Sequence, residues 1–538
     1  MAAEPLEERP VKQSDPTPSE RAQDDLIAAI ASGAATGDSQ PLRRLDTHMS
    51  RVFLAPGRVY KLKRSLRHPF CDMTSLEARR LACEAELAVN QTLAPDLYEA
   101  VLPVTRTPEG AVRIDGNGKV VDWVVAMRRF PNGALLRDMA DAGHLEAVLI
   151  RDAVTAVAGF HAGQAAVSEA GHAVDYRRII AGLRDTEAAG AAELGMTPAS
   201  APLFDALERE LARVAPRIEA RRRNGWVRRG HGDLHLANIC VFQEKITPYD
   251  ALEFDPALAT ADVIYDIAFL LMDLRARGLD SLANEAMNHY WNTLDQPEEA
   301  LALLPFFMAL RAAVRMAVSV EAGALADAAR YRSLSRELLH PSKPILLAVG
   351  GLSGAGKSTL AASIAPELPG VCGARVLRTD ALRRSDAQLG VGERLDPGAY
   401  QHQGRARIYR LLAERAREAL HAHTSVVADG TFQEDTARAA IEGVAHDADF
   451  LAFWLDVPAQ TRIVRVAQRR GDISDATPEI ALHQVEPAHL GEAWRRIVAD
   501  GAAEALTTVR QHLANRLDPR QGDARFVLHA AAQDGVTA

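Results

Sequence analysis

The chain has 538 residues, with 62 lysines and arginines against 71 aspartates and glutamates and a formal net charge of −9. Its 48% hydrophobic and 25% charged residues exclude a largely disordered chain, and the length allows two or three domains, each burying a core of its own. An acidic balance gives no general attraction for a polyanion, so nucleic-acid binding would have to rest on a local patch.

The run Arg221-Arg222-Arg223-Asn224-Gly225-Trp226-Val227-Arg228-Arg229 is such a patch, read here as a solvated helix end and turn. Cys71, Cys83, Cys240 and Cys372 form no CxxC pair, which argues against a disulfide framework or a zinc site and fits a reducing cytosol. The start, Met1-Ala2-Ala3-Glu4-Pro5, has neither the basic residues nor the apolar core of a signal peptide, and no run approaches eighteen apolar residues. The expectation is a cytoplasmic protein without a membrane span and without a nucleic-acid partner.

Residues 1–42 read as a flexible tail rich in Pro, Glu, Gln, Ser and Asp, with one docking helix around Leu26-Ile27-Ala28-Ala29-Ile30. A first domain is expected over 43–340. Val52–Leu54 and Val59–Lys63 flank Pro56-Gly57 and predict a hairpin. Residues 75–94, free of Gly and Pro and stopping before Pro95, predict a helix. Strand-like pieces follow at 100–105, 111–114 and 120–127, and from about 140 the chain is Ala- and Leu-rich and helical, with more helices from Asp262 to Leu339. The pattern is a small β-rich lobe followed by a large helical one. His340-Pro341-Ser342-Lys343-Pro344 marks a boundary. Beyond it, over 341–517, strands at 345–349, 374–378, 425–428, 450–455 and 496–499 alternate with helices, as in a parallel α/β sheet. Residues 518–538 read as a tail.

Two stretches carry chemistry. His231-Gly232-Asp233-Leu234-His235-Leu236-Ala237-Asn238 has the spacing of a kinase catalytic loop, in which the Asp accepts a hydroxyl proton and the Asn, five residues on, binds metal. Asp250 stands where a second metal-binding Asp belongs, followed by Glu253. Gly351-Leu352-Ser353-Gly354-Ala355-Gly356-Lys357-Ser358 fits GxxxxGK[ST], after a buried strand and before a helix. There the backbone from Gly351 to Thr359 cradles phosphates, Lys357 reaches the β and γ phosphates, and Ser358 gives a hydroxyl to Mg2+. Asp380 and Asp429 end the next two strands at the edge where ligands bind. Asp380 is the candidate base, with Arg383 or Arg384 for an anionic substrate; Asp429 is the candidate for Mg2+ or its water. Arg462, Arg465, Arg469 and Arg470 recur on one helix as candidate lid arginines, with Arg465 and Arg469 assigned to the nucleotide.

The first motif resembles the aminoglycoside and choline phosphotransferase family, where HGDLHxxN precedes a strand ending in an acid and then a stretch like Asp262-Val263-Ile264-Tyr265-Asp266-Ile267-Ala268. That resemblance implies a protein-kinase-like fold with Asp233 as base, Asn238 and Asp250 as Mg2+ ligands and His231 supporting the loop. It also implies Lys61 on the α and β phosphates of ATP, paired with Glu86; Lys63 and Glu84 stand as alternatives, since Lys61 and Lys63 share one face of a strand. No GxGxxG loop is present, and Asp46-Thr47-His48-Met49-Ser50 takes its place. The second half resembles the small P-loop kinases, a group that includes gluconate kinase, chloramphenicol phosphotransferase and the kinase domain of polynucleotide kinase. As a whole, residues 43–517 resemble bacterial proteins that fuse an aminoglycoside-phosphotransferase-like domain to a P-loop ATPase or kinase domain.

The expected fold is therefore an α+β, two-lobed, kinase-like domain followed by an α/β P-loop domain with a parallel sheet. The expected function is ATP- and Mg2+-dependent phosphoryl transfer to small-molecule hydroxyls, at two sites. Alternatives are a nucleotide-binding regulatory protein with a degenerate kinase-like domain, or a polynucleotide or RNA kinase drawing on the Arg221–Arg229 run.

Overall fold

The computed structural model describes residues 23–47, 49–68, 71–253, 259–340, 342–387, 402–446, 448–468, 477–498 and 501–516. The chain divides into two compact units, residues 1–277 with 306–339, and residues 278–305 with 340–538.

The first unit opens with helix α1 (Asp24–Ala31) and strands β1 (Arg43–Asp46), β2 (Ser50–Leu54) and β3 (Arg58–Lys63). Then come α2 (Leu76–Leu93), β4 (Tyr98–Arg106), β5 (Val112–Ile114) and β6 (Lys119–Arg128). The six strands form one antiparallel sheet in the order β1-β2-β3-β6-β4-β5. Period-2 alternation gives β3 two buried faces. Tyr60 and Leu62 join a core with Leu26, Ile27 and Ile30 of α1, while Val59 packs on the opposite side with Cys83, Tyr98 and Val125. Among the described residues α1 is already packed, ahead of the expected Arg43, because three apolar residues at i, i+1 and i+4 give that short helix one face to bury. Lys61 and Lys63 share the face of Val59, toward α2. The Ser75 hydroxyl caps α2 by accepting from Ala78 N (3.1 Å).

The helical lobe holds α3 (Ala147–Gly163), α4 (Ala173–Glu193) and α5 (Ala201–Arg223), then the hairpin of β7 (Ile239–Phe242) and β8 (Lys245–Pro248), and α6 (Val263–Ala276). The chain next leaves for the second unit with α7 (Asp280–Leu294), and returns with α8 (Leu304–Glu321) and α9 (Leu325–Leu338). Residues Glu298–Glu321 are long and apolar enough to cross a membrane by length and composition, but 78% of that apolar window is buried inside the protein, as in a core helix.

The cations of the Arg221–Arg229 run are engaged within the unit, though Arg223 stays exposed. Arg221 is buried against Asp262 (2.6 and 2.9 Å), Arg222 pairs with Glu219 (2.9 Å), and Arg223 donates to Glu219 O (3.2 Å). Arg228 donates to His161 O (2.8 Å) and Arg229 to Leu252 O. Arg221, Arg228 and Arg229 thus join separate segments, while Arg223 bonds within α5 and keeps the exposure expected of a solvated helix end.

The second unit is built on five parallel strands, β9 (Ile345–Gly351), β10 (Arg375–Arg378), β11 (Val426–Asp429), β12 (Asp449–Asp456) and β13 (Trp494–Val498), in the order β10-β11-β9-β12-β13. Its helices are α10 (Lys357–Ile364), α11 (Thr379–Asp386), α12 (His402–His421), α13 (Asp435–Glu442), α14 (Ala459–Gln468), α15 (Pro478–His483) and α16 (Ala502–Arg516). Every residue of β9 is buried, which fits its continuous apolar run and central place.

Segment 278–305, expected with the first domain, packs here for a definite reason. Asn284, Asn288 and Asn292 recur every four residues on α7 and face the edge strand. Asn288 Oδ1 accepts from Val376 N (2.7 Å), and the Asn284 and Asn288 amides donate to Ala374 O (2.9 and 3.1 Å). A side-chain ladder thus satisfies backbone groups that an open sheet edge would expose.

Candidate active sites

In the first unit the motif loop is hung from α6. Asp266 accepts from His231 N (2.7 Å), Gly232 N (2.8 Å) and His161 Nε2 (3.0 Å), and Asp273, seven residues along the same helix, accepts from Leu236 N (3.0 Å). Arg311 of α8 donates to Gly232 O and Tyr265 O (both 3.1 Å). Gly232 has φ +85°, and a Cβ there would lie 2.8 Å from Leu252 Cβ and 2.9 Å from Ala259 Cβ, so only glycine fits. Burial opposes ionisation of Asp266, but His161, His231 and Arg311 hold it well below the usual carboxylate range. Sequence reading quoted Asp266 without a role and missed Asp273, His161 and Arg311. The available signal was two acids at i and i+7 on a helix otherwise buried from Val263 to Leu274.

His231 Nε2 donates to Tyr249 O (2.9 Å), and its Nδ1 accepts from Asp233 N (3.3 Å). Burial lowers its pKa, favouring this neutral form, so His231 shapes the loop. The Asn238 amide nitrogen donates to Asp233 O and to Asp233 Oδ2 (both 2.9 Å), which turns its Oδ1 the other way. Burial pushes the Asp233 carboxyl up, but His235, 3.4 Å away, together with Arg315 and His231, holds it well below the ordinary range. Asp233 is a carboxylate at neutral pH.

Lys61 Nζ lies 2.5 Å from Glu86 Oε1 and 2.5 Å from Asp250 Oδ1. Lys63 Nζ lies 2.5 Å from Glu86 Oε2 and 2.5 Å from Glu253 Oε1. Charges alternate along the chain Asp250, Lys61, Glu86, Lys63, Glu253. Burial opposes both ammonium groups, yet Asp250 and Glu86 keep Lys61, and Glu253 and Glu86 keep Lys63, above the usual lysine range. Against its own burial, Glu86 is pulled down to about 2 by the two lysines. Of the alternatives left open by the sequence, both lysines meet Glu86, whereas Glu84 sits on the surface with Arg80 (2.5 Å). Asp250 has φ +63°, costly for a non-glycine residue, and is over-determined by its neighbours. Tyr249 N donates to Asn238 O (2.9 Å), Leu252 N to His231 O (2.8 Å), and Ala251 N to Asn90 Oδ1 (2.9 Å). Where a glycine-rich loop would lie, Thr47 closes a turn with Ser50 (2.9 Å), and His48 falls outside the described residues.

In the second unit the P-loop joins β9 to α10. Gly354 and Gly356 have φ +85° and +91°, and a Cβ on Gly354 would lie 2.4 Å from Arg462 O. Ser358 Oγ donates to Asp429 Oδ2 (2.6 Å), and Lys357 Nζ donates to Leu352 O (3.1 Å). Burial pushes the Asp429 carboxyl up, against the pull of Lys357, Arg378 and the Ser358 hydroxyl. Ser353 N donates to Gln484 Oε1 (2.7 Å), a partner the sequence did not suggest. Asp380 pairs with Arg383 (2.9 Å), while Thr359 is exposed and Arg384 half-buried.

The lid expectation divides. Arg462 is buried and donates to Val457 O and Ala481 O (both 3.1 Å) and to Ser353 O (3.4 Å), so it braces the P-loop. Arg465 is half-buried on α14; Arg469 and Arg470 lie outside the described residues.

Fold and sites together define the class: a protein-kinase-like domain joined to an AAA-type P-loop domain. Residues 346–487 match the AAA_33 family, described as an AAA domain. The chain is 29% identical over 455 residues to an uncharacterized protein of Mycobacterium tuberculosis, covering 81% of this chain and 88% of that one. Among solved structures it is similar to a gluconokinase from Sinorhizobium meliloti (21% identity, 32% of this chain, 95% of that chain, TM-score 0.24). It is also similar to a choline/ethanolamine kinase family protein from Mesorhizobium loti (15% identity, 59% of this chain, 95% of that chain, TM-score 0.37).

Proposed function

We propose that the protein is an ATP-dependent phosphotransferase with two nucleotide sites, each moving a γ-phosphoryl group to a small-molecule hydroxyl. The observation that carries the reading is the convergence of four separate stretches of chain: Asp233 is bonded to Asn238, Lys61 to both Glu86 and Asp250, and the backbone of Tyr249 to that of Asn238. Asp233, ionised and held by the Asn238 amide, accepts the acceptor's hydroxyl proton. Lys61, fixed by Glu86, holds phosphate oxygens. In the second unit Lys357 and the P-loop amides hold phosphates, and Asp380 is the base.

Among the described residues no group of three or more His, Cys, Asp and Glu could hold a metal by itself. The oxygen donors offered to such an ion would be Asn238 and Asp250 in one unit, and Ser358 with Asp429, 2.6 Å apart, in the other. That donor set fits Mg2+, which is usually held by one or two carboxylates together with substrate phosphates. Bound there, Mg2+ would neutralise charge on the phosphates.

A second reading, nucleotide binding without transfer at the kinase-like site, draws on one observation: Asp250 is engaged with Lys61. The test is transfer of labelled γ-phosphate from ATP to a fractionated metabolite extract, comparing wild type with Asp233→Asn and Lys357→Ala. A labelled product lost in one variant assigns the chemistry to that site. ATP bound with no labelled product would overturn transfer and favour the second reading.

A further inference from the structure

Arg378, the last residue of β10, has no part in the reading above. Parallel register sets it directly opposite Asp429, which in turn lies opposite Val349, just before the P-loop. Its Nη2 donates to Ser358 Oγ (3.0 Å) and its Nε lies 3.4 Å from Asp429 Oδ2, while Ser358 Oγ donates to that same Oδ2 (2.6 Å). Three groups close a small ring, and two of them are the hydroxyl and carboxylate that fit a metal. The guanidinium therefore shares the two oxygen centres that a divalent cation would use. Its side chain is a quarter exposed, so it is anchored by its partners without being walled in.

A cation so placed has a definite consequence for phosphate binding. The P-loop serine hydroxyl sits beside the nucleotide's phosphates. A guanidinium 3.0 Å from that hydroxyl stands beside the position the P-loop reading gives to phosphate, and its planar fork suits two oxygens at once. We infer that Arg378 is a resident cation of the metal position, supplying positive charge to the phosphates beside Lys357 when Mg2+ is absent and yielding Ser358 and Asp429 when Mg2+ is present. The inference rests on the P-loop being a nucleotide site, and it predicts that nucleotide binding there depends only weakly on metal.

The test is titration of the full-length chain with a fluorescent ATP analogue, once with excess Mg2+ and once with EDTA. The part of the binding curve that Lys357→Ala removes is the P-loop contribution; if that variant removes none of it, the P-loop reading itself fails, whatever Arg378 does. For Arg378→Gln the expected result is a loss of about tenfold or more in EDTA with a change under about threefold in Mg2+. Arg378→Lys, which keeps the charge but not the fork, should show the same pattern at smaller amplitude, and carries the test if the glutamine variant fails to fold. Equal loss in both buffers, or loss in neither, would overturn the inference.

Discussion

Arg375 and Glu298, 77 residues apart in sequence, form an ion pair (2.9 Å) in which both side chains are 1% exposed. Arg375 opens the edge strand β10, and its remaining donors reach Asn288 Oδ1 (3.0 Å) and Asn292 Oδ1 (2.7 Å). The pair therefore ties the 278–305 segment to the P-loop sheet.

Removing the carboxylate leaves a buried guanidinium uncompensated, and Glu298→Ala is expected to cost about 3–5 kcal/mol. Denaturant unfolding of the full chain, read in the transition that abolishes P-loop nucleotide binding, measures it. A shift worth less than about 0.5 kcal/mol, as for an ordinary surface change, would contradict the assignment. For the same reason a fragment starting at residue 341 is expected to aggregate through its bared edge strand.

Glu86 and Glu84 offer a contrast on one helix. Glu86→Ala strands two buried lysines and should abolish nucleotide binding at the kinase-like site, whereas Glu84→Ala removes only a solvent-screened i,i+4 pair with Arg80 and should leave binding unchanged. Isothermal titration with ATP in the presence of Lys357→Ala, which silences the other site, separates the two outcomes.

The same glutamate predicts an acid response. Its folded pKa, about 2, lies below the ordinary 4.5, so its contribution to stability is complete above about pH 4.5 and is lost as the pH falls toward 2. Acid unfolding of wild type should therefore steepen in that window, and Glu86→Gln should flatten it. Identical profiles for the two proteins would show that Glu86 does not drive the transition.

Gln484 presents a neutral oxygen to the Ser353 amide of the P-loop (2.7 Å). Gln484→Glu would place a carboxylate among groups meant for phosphate, and ATP affinity at that site should fall about tenfold or more, as expected for a like charge a few ångströms away at an effective dielectric of about 20. Gln484→Ala, which removes the contact without adding charge, should change it by less than about threefold. Equal effects of both variants would assign Gln484 to packing alone.

The two motifs were legible because each is local. The backbone of Gly351–Ser358 curls as its glycines allow, and His231-x-Asp233 with Asn238 closes within one short loop. Alternation along β3 likewise placed Lys61 and Lys63 on one face, and most strands followed from apolar runs between turn residues; β1 (Arg43–Asp46) did not, since it is mostly polar and largely exposed. What sequence could not choose was partners distant along the chain. Whether Lys61 or Lys63 meets Glu86 was undecidable from a face shared by both, and the structure gives Glu86 to both, because its two oxygens are bracketed by lysines two residues apart. Arg378 and Gln484 carry no local signature; strand register and the packing of α15 bring them to Ser358 and Ser353. Helix α7 reads as one more helix after α6, and only the free edge of β10, which must satisfy its backbone groups somewhere, decides that it belongs with the P-loop sheet. Local spacing by itself determined which chemistry each half can hold. Tertiary packing decided which charges face one another, since ion pairs and edge contacts form between segments whose separation in sequence sets no distance in space.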